Sequence, residues 1–277
     1  MTKKDLVQNI FNLKSFLCVG LDPDPDKMPE SLAKKGVEGI LEFNRRIIDS
    51  TAEYAVAFKP NLAFYEVFGP EGLLVFDLTC RYIKENFPDK FIIADAKRGD
   101  IGNTARMYAR SFFDKGCADA VTVAPYMGED SVRPFLDFPG KWAVVLALTS
   151  NKGSEDFQTV TSQNGVPLFQ RVIETACSWD SPENTMFVIG ATRGELIAEA
   201  RKVAPDHFFL VPGIGAQGGS LEDTCNYGMN ENVGILVNSS RGIIHSSSGD
   251  DFAITANVSA KMLRDRMAEI LERRFNL

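Results

Sequence analysis

The most regular feature of the chain is a series of short, almost wholly apolar runs separated by stretches in which apolar residues recur three and four positions apart. The runs are FLCVGLD (16–22), AVAFKPN (55–61), FIIADAK (91–97), AVTVAP (120–125), AVVLALTS (143–150), MFVIGAT (186–192), FFLVPGIG (208–215) and GILVNSS (234–240). Continuous apolar runs of this length predict strands buried on both faces, and the 3.6-residue periodicity between them predicts covering helices. Helical spacing is clearest in GILEFNRRIIDSTAEY, EGLLVFDLTCRYIKEN, TARMYARSFFDKG, SVRPFLDF, PLFQRVIETACSW, GELIAEARKVAP and ANVSAKMLRDRMAEILERRF. Strands alternating with helices imply an α/β protein with a parallel sheet, and eight such units fit a (β/α)8 TIM barrel. An open doubly wound sheet is the alternative. No Pro/Ser-rich linker or composition break divides the chain, so residues 1–277 are expected to form a single domain. The seventh unit is the weakest, because the helix expected after GIGAQGG is short and polar.

Composition narrows the classes of partner. The 277 residues are 44% hydrophobic and 24% charged, with a formal charge of −7, which speaks against a general nucleic-acid binder while leaving room for a local anion pocket. Five widely spaced cysteines, Cys18, Cys80, Cys117, Cys177 and Cys225, form no C-x-x-C pair and are expected to be core thiols in a reducing compartment. The N-terminal MTKKDLVQNIFNLKSF lacks a signal-like apolar run, and no membrane-length apolar stretch follows. These features predict a cytoplasmic protein without a membrane segment.

In a barrel the chemistry sits at the carboxyl ends of the strands. Inspection of those ends finds Asp22 after the first run, Lys59 on the second, Asp95 and Lys97 on the third, Thr149 and Ser150 after the fifth, and Arg241 just beyond the eighth. Strand alternation predicts that Asp95 and Lys97 project to the same side, with Asp100 in the following turn and Lys59 arriving from the neighbouring strand. A D-x-K-x-x-D spacing also suits a rim ion-pair network that only keeps the barrel mouth soluble. Its place at a strand end, beside a second lysine, favours chemistry. Two carboxylates would hold Lys97 protonated, which disfavours an imine, and an ammonium between aspartates competes with a metal. A cationic lysine that delivers a proton to developing negative charge remains.

The segment VPGIGAQGGS (211–220) has Gly213, Gly215 and Gly218 in G-x-G-x-x-G spacing. As a dinucleotide fingerprint it is misplaced, but loops after the seventh and eighth strands are the usual phosphate site of a barrel. A phosphate loop at 212–220, with Gly215, Gly218 and Gln217, would then act with Arg241. Glycines that merely turn the chain are the alternative. His207 and His245 lack metal-like spacing and read as incidental, while Trp142 and Trp179 read as packing residues. The polar segment 150–165 is too long for a tight turn and suits either a lid or surface decoration.

These motifs together resemble the orotidine 5′-phosphate decarboxylase family. IADAKRGDIGNT fits its D-x-K-x-x-D-I-x-x-T signature from Asp95 to Thr104, and GLDPD, FKPN, LTSNKG, VPGIGAQGG and SSRG extend the agreement along most of the barrel. The chain length and the DAKRGDIG wording are similar to the longer bacterial branch. The resemblance implies decarboxylation of orotidine 5′-monophosphate to UMP without a cofactor. It implies that Asp95 faces the substrate carboxylate and that Lys97 protonates carbon six of the pyrimidine. Asp100, Ile101 and Thr104 match residues that reach into a neighbouring subunit's site, which implies a homodimer. Asp22 and Lys59 match ribose contacts, Ser150 a pyrimidine contact, and Gln217 with Arg241 the phosphate grip. The tyrosine that often follows the phosphate-loop glutamine is replaced here by GGS. Two other readings stay open: a magnesium-dependent sugar-phosphate decarboxylase or hexulose-phosphate synthase on the same frame, and a non-catalytic sensor of a phosphate ligand.

Overall fold

The computed structural model describes residues 1–114, 116–191, 194–214 and 219–276. All eight apolar runs form strands: β1 (Leu17–Leu21), β2 (Ala57–Pro60), β3 (Phe91–Arg98), β4 (Ala120–Val123), β5 (Trp142–Leu148), β6 (Thr185–Ile189), β7 (Phe208–Pro212) and β8 (Ile235–Ser239). They close into a barrel in sequence order, with parallel neighbours, as the alternation of elements requires. No helix among the described residues is long and apolar enough to cross a membrane.

Two compact units, interleaved along the sequence, share the chain. The first comprises residues 8–96, 112–119 and 238–277. Here β1 pairs with β2 in a register that sets Gly20 opposite Lys59 and Leu21 opposite Pro60, and β2 in turn sets Phe58 opposite Ile92 of β3. The helix Val37–Thr51 buries Ile40, Phe43, Ile47 and Ile48, one face at helical spacing. Phe43 stacks on Phe252 of the C-terminal helix Phe252–Phe275 at 4.9 Å between ring centroids. Two buried polar side chains tie helices and strands of this unit together. The buried Asn44 amide donates to Tyr65 Oη (2.9 Å) and Thr79 Oγ1 (3.0 Å), and the Asp119 carboxylate accepts from the Ile92 N–H (2.9 Å) and from Lys84 Nζ.

The second unit comprises residues 1–7, 97–111 and 120–237. Its strands run β4 to β7 in continuous parallel register, with one irregularity between Leu146 and Leu148 where β5 meets β6. Trp142, Phe187, Phe208 and Phe209 are fully buried, and the helix Leu168–Cys177 buries Phe169, Ile173 and Ala176 on one face. Trp142 opens β5, and its indole N–H donates to the Met1 carbonyl (2.9 Å). The weak seventh unit does carry a helix, Leu221–Gly228. It is short, and the Ser220 side chain caps it by accepting from the Asp223 N–H.

Arg201, from the helix Gly194–Val203, closes the amino ends of β7 and β8. Its guanidinium donates to the carbonyls of Gly228 (2.8 Å), Ala204 (2.9 Å), His207 (2.6 Å) and Gly234 (2.9 Å) and lies over the Phe209 ring at 3.8 Å. An ammonium cannot reproduce this planar fork of donors. Arg201→Lys is therefore expected to cost roughly 2–3 kcal/mol, several charge-assisted hydrogen bonds being lost at once; urea denaturation of the two proteins measures it, and a difference below about 0.5 kcal/mol would refute the assignment.

Candidate active site

The first unit places Asp22, Lys59, Asp95 and Arg241. Lys59 is the penultimate residue of β2 and Asp95 lies in the carboxyl half of β3, both on strands whose apolar residues supply the walls. Lys59 Nζ meets Asp95 Oδ2 at 2.7 Å, and the two side chains are only 6% and 8% exposed. The strand order explains the encounter, since β2 and β3 are neighbours and Asn61 bridges Asp95 directly. Burial alone would depress the lysine, but the Asp95 and Asp22 charges and the hydrogen bond to Asp95 outweigh it and hold the Lys59 pKa above its ordinary value. The lysine's share of the pairing is thus fully present below its ordinary value of 10.5 and is lost as pH climbs beyond it through the raised value.

Asp22 follows β1 directly. One of its carboxylate oxygens, Oδ1, is buried and has no partner among the described residues. Its backbone carbonyl is 3.1 Å from His245 Nε2, so that nitrogen carries the proton. A lone histidine carries no spacing signal, so this contact with a backbone 223 residues away could not be anticipated from the sequence. Burial holds the His245 imidazole below the usual histidine pKa. Cys18, two residues before Gly20 on β1, is fully buried, which pushes its thiol up to about 12 and keeps it protonated. Arg241 opens the short helix Arg241–Ile244 and is exposed, and its guanidinium has no hydrogen-bond or ion-pair partner among the described residues. An unpaired guanidinium at a strand end suits an anion.

The second unit places Lys97, Asp100, Ile101, Thr104 and Ser150. The expected alternation of Asp95 and Lys97 does not extend to Lys97, whose φ of 45° is left-handed. Such a turn of the backbone re-aims a side chain at a cost of roughly 1–2 kcal/mol for a residue with a β-carbon. The Lys97 N–H donates to Thr122 Oγ1 of β4 (2.9 Å), and the Ala124 N–H donates to the Arg98 carbonyl (2.8 Å), which fastens the re-aimed segment to β4. The sequence reading missed Thr122, for which a lone threonine in a strand gives no signal. Asp100 Oδ1 accepts from the Ile101 N–H at 2.8 Å. Ile101 is 50% exposed, and Thr104 is exposed in the first turn of the helix Gly102–Phe113.

Ser150 lies two residues beyond β5 and lines a cavity of about 230 Å³ with Thr149, Lys152, Glu155 and Gly190. The segment 150–165 is folded rather than open: a 3₁₀ turn spans Lys152–Asp156, and Gln158 returns to accept from the Thr149 N–H at 2.7 Å. Of the phosphate loop, Gly215, Gln217 and Gly218 lie outside the described residues, while the Gly219 N–H donates to the Gly213 carbonyl (3.1 Å). Among the described residues no group of three or more His, Cys, Asp or Glu side chains is arranged to hold a metal ion.

Comparison with known proteins gives a consistent result. The family model described as "Orotidine 5'-phosphate decarboxylase / HUMPS family" matches residues 15–251. An orotidine 5′-phosphate decarboxylase of Bacteroides fragilis is 56% identical over 272 residues, covering 98% of this chain and 99% of its own. One from Phocaeicola vulgatus is 56% identical over 271 residues, covering 98% and 99%. Among solved structures, the OMP decarboxylase of Leishmania donovani superposes with a TM-score of 0.84 at 37% identity, covering 98% of this chain and 99% of that one.

The Thr122 contact is directly testable. Thr122→Val keeps the shape and removes the acceptor, and is expected to destabilise the protein by roughly 1–2 kcal/mol, whereas Thr122→Ser stays within about 0.5 kcal/mol of the parent. Equal midpoints for both variants in chemical denaturation would show that the hydroxyl does not hold Lys97.

Proposed function

Because the chain belongs to the orotidine 5′-phosphate decarboxylase / HUMPS family, we propose that it converts orotidine 5′-monophosphate into UMP and carbon dioxide, a step of pyrimidine nucleotide synthesis. The observation that carries this reading is the buried Lys59–Asp95 ion pair, two residues before Lys97 on β3. A sensor of a phosphate ligand has no use for two charges held out of water at such expense.

In the proposed reaction the bond from ring carbon six to the carboxylate breaks, and its electron pair stays on that carbon. Carbon dioxide leaves, the Lys97 ammonium transfers a proton to the carbon, and Lys97 regains a proton from solvent. No metal or organic cofactor takes part in the scheme. The carbanion has no delocalising sink, so a cation that meets the developing charge lowers the barrier more than it stabilises the bound substrate. Asp95, fixed by Lys59, faces the departing carboxylate and adds repulsion that disappears as carbon dioxide forms. Asp22 takes the ribose hydroxyls, Ser150 the pyrimidine, and Arg241 with Gln217 the phosphate.

The working unit is a homodimer in which Asp100, Ile101 and Thr104 complete the partner's site. Exposure of Ile101 (50%), Met107 (54%), Met127 (47%) and Tyr126 (95%) within one unit supports this, since apolar side chains left in water favour a protein contact. No disulfide joins any of the five cysteines, which supports a reducing, cytoplasmic setting. The strands β3 and β8 each run from one compact unit into the other, which supports reading residues 1–277 as one domain.

Purified protein in excess EDTA is expected to consume the orotate chromophore of orotidine 5′-monophosphate. Lys97→Ala should lower kcat by more than about 10³-fold, whereas Arg241→Ala should act mainly by raising KM. Turnover within tenfold of the parent at Lys97→Ala would overturn the mechanism. Failure to convert the nucleotide, with magnesium-dependent activity on a sugar phosphate, would reassign the substrate. For the dimer, Lys97→Ala and Asp100→Ala proteins, each inactive alone, should regain about one quarter of parental activity on unfolding and refolding together, because half the dimers hold one intact site. No recovery, with refolding shown by the parent, would exclude shared sites.

A further inference from the structure

Residues 238–245 do more than present Arg241. A β-carbon on Gly20 would lie 1.9 Å from Ser240 Oγ and 3.2 Å from Asn238 Oδ1, so β1 lacks a side chain where the end of β8 rests on it. Within this notch Asn238 Nδ2 donates to Ser240 Oγ at 3.3 Å. The chain then turns through Arg241–Ile244, with the Ile243 and Ile244 N–H groups both donating to the Ser240 carbonyl at 2.9 Å. At the end of this turn His245 Nε2 donates to the carbonyl of Asp22, 3.1 Å away. The imidazole is held flat by Phe43, with centroids 5.7 Å apart and planes 21° off parallel. Two contacts therefore clasp one segment to β1, at Gly20 and at Asp22.

The Asp22 carboxylate is the group left unsatisfied by this arrangement, its Oδ1 buried and without a partner among the described residues. A buried acceptor of that kind is kept for a ligand donor or for water. Its direction depends on the peptide that carries it, and that peptide's carbonyl is what His245 holds. We propose that His245 is a positioning residue for nucleotide binding: by fixing the Asp22 peptide it aims the Asp22 carboxylate at the hydroxyls of the ribose. The inference rests on the reading of the site as one for orotidine 5′-monophosphate.

The side chains that can replace His245 separate the donor from mere bulk. In glutamine the Nε2 reaches the place of the imidazole Nε2, in asparagine the amide stops at the place of Nδ1, and phenylalanine keeps the stack on Phe43 but has no donor. His245→Gln is expected to keep KM for orotidine 5′-monophosphate within about threefold of the parent, while His245→Asn and His245→Phe raise it about tenfold with kcat changed less than about threefold. A residue that acts through Asp22 loses its effect once the carboxylate is gone, so in an Asp22→Ala background His245→Phe should change KM by less than about twofold. A structural role would give additive losses and lower kcat by loss of folded protein, which thermal melting detects. Additive losses, or equal KM values for Gln and Phe, would overturn the inference while turnover by the parent leaves the decarboxylase reading standing. A parent that does not turn over the nucleotide at all would remove both.

Discussion

Two opposite charges, Lys59 and Asp95, sit 2.7 Å apart and almost wholly out of water at the ends of neighbouring strands, and much of the surrounding structure answers to that constraint. Removing a pair of ions from solvent costs several kcal/mol per ion, and their mutual attraction recovers that cost only with good geometry and further hydrogen bonds. The register of β2 against β3 supplies the geometry, and the apolar faces of these strands keep water away. A hydrophobic pair of equal volume would hold these strands together at least as well. The pair is thus better understood as a charge distribution fixed in advance by the fold than as a device that binds the strands together.

What the sequence made legible follows from physics that acts along the chain. All eight strands were readable because strands buried on both faces must be apolar throughout, and the barrel followed from their number and alternation. Short helices such as Ala63–Glu66 and Arg241–Ile244 escaped, since four residues cannot display a period of 3.6. Lys59, Asp95 and Asp22 stand out as candidates because polar groups at strand ends interrupt an otherwise apolar pattern. Lys97 stands out by its place on the third apolar run, but nothing in its residue type announces a φ of 45°.

Thr122 and His245 were illegible for a related reason. Each acts on a backbone group far away in sequence, the Lys97 N–H and the Asp22 carbonyl, and backbone groups are identical at every position. Side-chain chemistry can be anticipated from composition and spacing. A contact with distant main chain becomes visible only when the fold brings it together. The same holds for Gly20, whose missing β-carbon matters because Ser240 occupies the space.

The left-handed backbone at Lys97 sets the durability of the fold against its chemistry. Glycine pays no steric cost at such an angle and asparagine little, so either would relax the chain at this one position, and both would erase the ammonium. Selection for survival of heat alone would favour either of them over lysine at this position. On the reaction proposed above, the strained backbone at position 97 is offset only by what its ammonium would do.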